Sequence, residues 1–143
     1  HRPQQMLAAE LFSEPAINLM PGRVSGTEVS FADTVHFPLN PDLQGIAEGE
    51  YRFGVRPSHI GLVPSNDDDL ELAVTVELAE ISGSETFLHV RNEQFVLVLH
   101  LPGVHEYDVD TPILIYIPTH KLFVFAADGQ LIQAPSRRLG RVA

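Results

Sequence analysis

The groups in this chain that could do chemistry are histidines and carboxylates. There are 7 histidines, 19 aspartates and glutamates, and no cysteine. Disulfides, thiolate catalysis and cysteine-ligated metals are therefore excluded. His105-Glu106 opens like a zincin motif, but Val109 stands where the second histidine of that motif would fall four residues on. The stretch follows Pro102-Gly103 and reads as a turn. Asp67-Asp68-Asp69 offers oxygen ligands, yet the alternating spacing and the glycine of an EF-hand loop are missing, so it reads as a solvated turn. His89 and His100 lie on strands either side of Asn92-Glu93; no third ligand is evident, and they read as partly exposed strand residues. No G-x-x-x-x-G-K-[ST] and no G-x-S-x-G occurs, which excludes a P-loop and a hydrolase nucleophile elbow within the chain. Catalytic, cofactor and metal residues are therefore expected to be absent here.

Charge narrows the partners. Nine lysines and arginines against the 19 acids give a net charge of −10, which repels phosphate backbones unless the basic residues cluster. The cluster visible in sequence is Arg137-Arg138 with Arg141, a solvated tail in character. Nucleic acid is not an expected partner, and no cationic pocket for small anions is evident. The longest apolar run, "FVLVLHLPGV", is interrupted by His100 and Pro102 and is too short for a membrane span. The opening "HRPQQ" has no apolar leader behind it, and the chain is expected to be a piece of a longer protein.

The elements that must position these groups are mostly strands. Residues 4–12, "QQMLAAELF", carry the helical pattern of the chain, with Pro3 suited to the first turn and Pro15 closing the segment. From there the period is two. "GRVSGTEVSF" reads as two strands around Gly26-Thr27, and "TVHFPL" as a third. "YRFGVR" alternates with Tyr51, Phe53 and Val55 on one face. "LELAVTVELAEI" places Leu72, Val74, Val76 and Leu78 on one face. "TFLHVR" and "QFVLVLHL" form a hairpin at Asn92-Glu93, "PILIYIP" is a strand between prolines, and "KLFVFAADGQLI" is a hairpin tipped by Asp128-Gly129. Roughly nine or ten short strands argue for a sandwich or barrel. The acidic "SNDDDLE" is expected to join two half-barrels.

Five segments recur in a familiar order: "HRP" at 1–3, "FSEPAINLMPG" at 12–22, "FGVRPSHIGL" at 53–62, "ELAEISGSETFLHV" at 77–90 and "FAADGQLI" at 125–132. In that order they resemble the C-terminal region of the ATPase subunit of carbohydrate-type ABC importers, the maltose and glycerol-phosphate group. The resemblance implies an all-β, OB-like (TOBE) barrel of two small β-subdomains with one short N-terminal helix. Residues 1–21 would be a junction helix and linker from an absent ATPase domain, and residues 22–143 the TOBE domain, with half-barrels at 22–66 and 70–135. Pro15 and Asn18 match the family's link, Arg56-Pro57-x-His59 its Arg-Pro-Glu-His, and Gly83-x-Glu85-Thr86 its Gly-x-Glu-Thr turn. Ser58 replaces the family's glutamate, Ile17 its methionine, and Ala126 its aspartate. These departures point away from the best-known branch, toward polyol or glycerol importers.

The resemblance implies a regulatory and dimerisation domain that does not hydrolyse ATP itself. ATP and magnesium would belong to the absent ATPase domain. Expected partners are that domain, a second copy of the subunit and, indirectly, the membrane subunits, at the cytoplasmic face of the cell membrane. Pro57 is expected to end its strand and set a turn, and Arg56 to hold carbonyls or a carboxylate such as Glu85. A free-standing barrel binding an oxyanion or a sugar is the competing reading.

Overall fold

The computed structural model describes residues 17–31, 35–39 and 46–133. The helix expected over 4–12 and Pro15 lie outside them. Among the described residues ten strands run in chain order: β1 (Asn18–Ser25), β2 (Glu28–Phe31), β3 (Val35–Pro38), β4 (Gly49–Val55), β5 (Leu70–Ser82), β6 (Glu85–Arg91), β7 (Val96–Pro102), β8 (Pro112–Ile117), β9 (Phe123–Ala126) and β10 (Leu131–Gln133). Two 3-10 turns, Pro57–His59 and Thr119–Lys121, complete the described structure. No described helix is long and apolar enough to cross a membrane.

The strands form two antiparallel sheets. The larger has the order β10-β9-β4-β1-β2-β3 and the smaller β7-β6-β5-β8. One sheet curls into a half-barrel, which fits an OB-like all-β fold. The sheets do not group the strands by chain order. β9 and β10 return to the first sheet, where Gly54 pairs with Phe123 and Tyr51 with Ala126, while residues 70–117 build the second. Asn18 to Pro21, read as linker, form the first half of β1 against β4. Pro21 is tolerated there because β2 pairs β1 only from Arg23 onward, leaving one side of the strand without a ladder.

Alternation supplies the core. Met20 and Val24 of β1, Phe53 and Val55 of β4, Leu72, Val74 and Val76 of β5, and Leu97 and Leu99 of β7 are buried together. Phe31 meets Phe37, Phe53 and Phe95 edge-on at centroid distances of 5.3, 5.7 and 6.1 Å, the arrangement aromatic quadrupoles favour. A Cβ at Gly22 would stand 2.7 Å from the Phe31 ring and 2.8 Å from the Phe53 ring, so this position needs glycine for close approach.

Leu78 breaks the expected face. The register steps from Val76 opposite Val90 to Leu78 opposite His89, so Glu77 is the extra residue of a β-bulge. The bulge shifts the phase of the strand, and Leu78 is 48% exposed while Val76 is buried. Arg91 fastens the irregularity, with Nε 3.2 Å from Glu77 and a terminal nitrogen 3.3 Å from Asp110.

Candidate functional site

Asn18 joins the two sheets. Its Nδ2 donates to the Val98 carbonyl at 2.9 Å, and its Oδ1 accepts from the Val98 amide at 2.8 Å. A side-chain amide thus imitates a strand partner at the outer edge of β7. Gly61 does the same at β8: its amide donates to the Tyr116 carbonyl and its carbonyl accepts the Tyr116 amide, both at 2.9 Å. Each edge of the smaller sheet is therefore met by a segment leading into or out of the larger sheet.

The segment Gly83 to Thr86 forms the β5–β6 hairpin. Gly83 has φ of 63°, a conformation glycine adopts without a Cβ penalty. Thr86 is fully buried. Its hydroxyl donates to the Gly103 carbonyl at 2.9 Å and accepts the His105 amide at 2.9 Å. The His105 ring also reaches the Pro102 carbonyl at 2.9 Å. His105 is thus part of a turn after β7, held by Thr86. Glu85 lies 2.8 Å from His100, and that ring stacks on Phe87 at 4.6 Å. His89 makes the corresponding contact with Glu80 at 2.8 Å.

Arg56 has an aromatic neighbour besides the polar groups expected of it. Its guanidinium lies over the Phe123 ring, 5.2 Å from the centroid, whereas the Glu85 carboxylate faces His100. Pro57 starts the 3-10 turn, whose first bond runs from the His59 amide to the Arg56 carbonyl at 2.9 Å. A proline suits that position because it has no amide hydrogen to satisfy.

The β4–β9 ladder ends at Gly54 opposite Phe123, so Arg56 and Lys121 leave it at the same end. His59 and His120 occupy the two 3-10 turns that follow and precede these strand ends. All four basic side chains are half-buried. Burial, then the charges of Lys121, Arg56 and His120, hold the His59 imidazole below its ordinary pKa. His59 Nδ1 is buried without a hydrogen-bond partner. This basic cluster was missed in the sequence because its members come from two turns about 60 residues apart. The available signal was Arg56 and His59 around Pro57, together with His120-Lys121 after Pro118.

Next to the cluster is a cleft of about 660 Å³. Thr119 and His120 line one side of it, Asp67, Asp68, Asp69 and Glu71 another, and residues 35–39 the rest. Asp69 Oδ2 accepts from the Ser65 amide at 2.6 Å and hydroxyl at 2.9 Å. Glu71 accepts the Tyr116 hydroxyl at 2.8 Å, which raises the pKa of that phenol. Among the described residues no three His, Asp or Glu side chains are placed to hold a metal ion.

No protein-family profile matches the chain. It is 27% identical over 131 residues to the sn-glycerol-3-phosphate import ATP-binding protein of Escherichia coli, covering 90% of this chain and 36% of that protein. The chain is homologous to the ATP-binding subunits of carbohydrate-type ABC importers. The sulfoquinovosyl glycerol transport ATP-binding protein of Agrobacterium fabrum is 30% identical over 106 residues, covering 71% of this chain and 29% of that protein. A Paraburkholderia xenovorans sn-glycerol-3-phosphate import ATP-binding protein is 28% identical over 132 residues, covering 87% and 36%. The chain thus spans about a third of the length of these importer subunits. With an OB-like all-β fold, the kinship fits a C-terminal TOBE-type domain of such a subunit.

Proposed function

We propose that this chain is the regulatory and self-docking domain of an ABC importer ATP-binding subunit for a sugar or polyol, carrying no catalysis of its own. The observation that supports the reading is a match over 90% of the chain to importer subunits of which it makes up only 36%. ATP and magnesium would be held by an ATPase domain elsewhere in the longer protein, since this chain contains no P-loop. The domain would dock on a second copy and keep two subunits together while their nucleotide domains open and close, at the cytoplasmic face of the membrane. Such coupling requires contacts that differ between two states.

The test begins with the coding sequence upstream of His1. A P-loop and an ABC signature are expected there. In the full subunit, deletion of residues 18–133 should leave ATP turnover measurable and abolish the lasting association of two subunits. An upstream region without an ATPase would overturn the proposal.

The cleft supports a second reading, a small-ligand barrel, because its volume lies in the range of small-molecule sites, about 300–1,000 Å³. Its carboxylates suit a polyhydroxylated ligand better than an oxyanion. Calorimetric titration with glycerol, several sugars and molybdate separates the readings, and micromolar binding would favour this one.

A further inference from the structure

The smaller sheet ends at β8, and that edge is covered along part of its length. In an antiparallel ladder, successive residues point their peptide groups alternately at one neighbour and the other. Tyr116 directs both of its groups at Gly61. Leu114 and Pro112 share its parity against β5, so their peptide groups also point away from that strand. The bridge to Gly61 is not continued. The Val63 carbonyl comes back to 3.0 Å from where a Gly61 Cβ would stand, so the chain turns off instead of running on beside Leu114. Among the described residues, the Leu114 amide and carbonyl and the Pro112 carbonyl have no hydrogen-bond partner. The Leu114 side chain is 46% exposed, and Val63 is 72% exposed.

Carboxylates stand at one end of this open stretch. Tyr116 shares the outer face of β8 with Leu114, and around it the 64–69 loop and Glu71 enclose a hollow of about 490 Å³. Asp67 and Glu71 line that hollow and are exposed. Neither belongs to an ion pair of the described residues, whose acids are Glu28, Glu50, Glu77, Glu80, Glu85 and Asp110.

We propose that the β8 edge is a docking site for a short extended segment of another protein, with a lysine or arginine two positions from an apolar residue. One residue of the guest exchanges both backbone bonds with Leu114, as Gly61 does with Tyr116, and this fixes the register. Side chains two positions apart share a face. The apolar residue therefore lies on Leu114, and the cation reaches the hollow beside Asp67 and Glu71. Charge selects the guest: a second copy of a chain of net charge −10 is repelled by these carboxylates, whereas a basic segment is drawn to them. Pro112 has no amide to donate, so the ladder ends there and the guest stays short. This surface goes beyond the regulatory reading and does not depend on it.

The experiment is an NMR titration of the 143-residue chain with a peptide of sequence Lys-Thr-Val-Thr-Lys, acetylated and amidated at its ends. At saturation, hydrogen exchange at the Leu114 amide should slow about tenfold or more, because that amide gains a partner. The same peptide with its valine N-methylated cannot make both bonds and should lose the protection. A peptide with glutamates in place of the lysines should bind about tenfold more weakly or worse. Asp67→Lys, on an exposed loop away from the core, should weaken the lysine peptide and leave the Leu114 amide as it is in the free chain. Binding that shifts the acidic loop but leaves Leu114 exchange unchanged would be charge attraction without pairing, and overturns the proposal. So does equal binding of the N-methylated peptide, or no binding of the lysine peptide at millimolar concentration. None of these failures touches the regulatory reading, which stands or falls on the full subunit.

Discussion

Asn18 and Val98 exchange two hydrogen bonds, at 2.9 and 2.8 Å, although 80 residues separate them. Both groups of the Val98 peptide are answered by one side chain from the other sheet. Removing that side chain leaves an amide and a carbonyl on an edge strand with no protein partner. Asn18→Ala should cost about 1–3 kcal/mol in urea unfolding, the usual penalty for stranding buried polar groups. Amide exchange at Val98 should accelerate in the same variant. Unchanged stability and exchange would show that the peg does not join the sheets.

Thr86 offers a cleaner substitution. Thr86→Val keeps the shape and removes both the donor to Gly103 and the acceptor for the His105 amide. About 1 kcal/mol or more should be lost, and Thr86→Ser should retain most of it. NMR should show the 103–105 turn loosened in the valine variant only.

Arg56 over Phe123 is worth about 0.5–1 kcal/mol as a half-exposed cation–π contact. Arg56→Ala should therefore lower the melting temperature. A double-mutant cycle with Phe123→Leu should give a coupling of that size. Zero coupling would assign any effect of Arg56 to other contacts.

His59 sets a pH dependence. Burial first, then Lys121, Arg56 and His120, lower its folded pKa from the ordinary 6.5. The unfolded chain then binds this proton more readily than the folded one, so the contribution of His59 to stability is complete above about pH 6.5 and is lost as pH falls below it. His59→Gln should gain on the wild type as pH drops from about 7.5 to about 5.5. A stability difference that is flat with pH would place His59 in an ordinary solvated environment.

Much of the fold was legible in local pattern. Period-two alternation marked β4 through Tyr51, Phe53 and Val55, and turn residues marked the hairpins at 92–95 and 128–129, where Asn92 and Asp128 side chains accept backbone amides. What escaped was non-local. The bulge at Glu77 inserts one residue and turns Leu78 outward, and nothing in a run of alternating apolar residues marks where a ladder slips. The return of β9 to β4 escaped because pairing between distant strands leaves no trace in either segment. At the candidate site, Asn18, Arg56 and Thr86 were singled out by resemblance, but their partners Val98, Phe123 and Gly103 were not. The basic cluster escaped because its two halves meet only once β4 and β9 are paired.

The return of the chain to its first sheet also has a mechanical consequence. Asn18 and Leu131 belong to the same six-stranded sheet, and residues 57–122 leave and rejoin it at the neighbouring ends of β4 and β9. A pull applied across these two points loads the β1–β4–β9–β10 ladders in series. The four-stranded sheet hangs from that line as a closed excursion. Tension from a neighbouring domain would thus run along one sheet and reach the other at the Asn18–Val98 bonds.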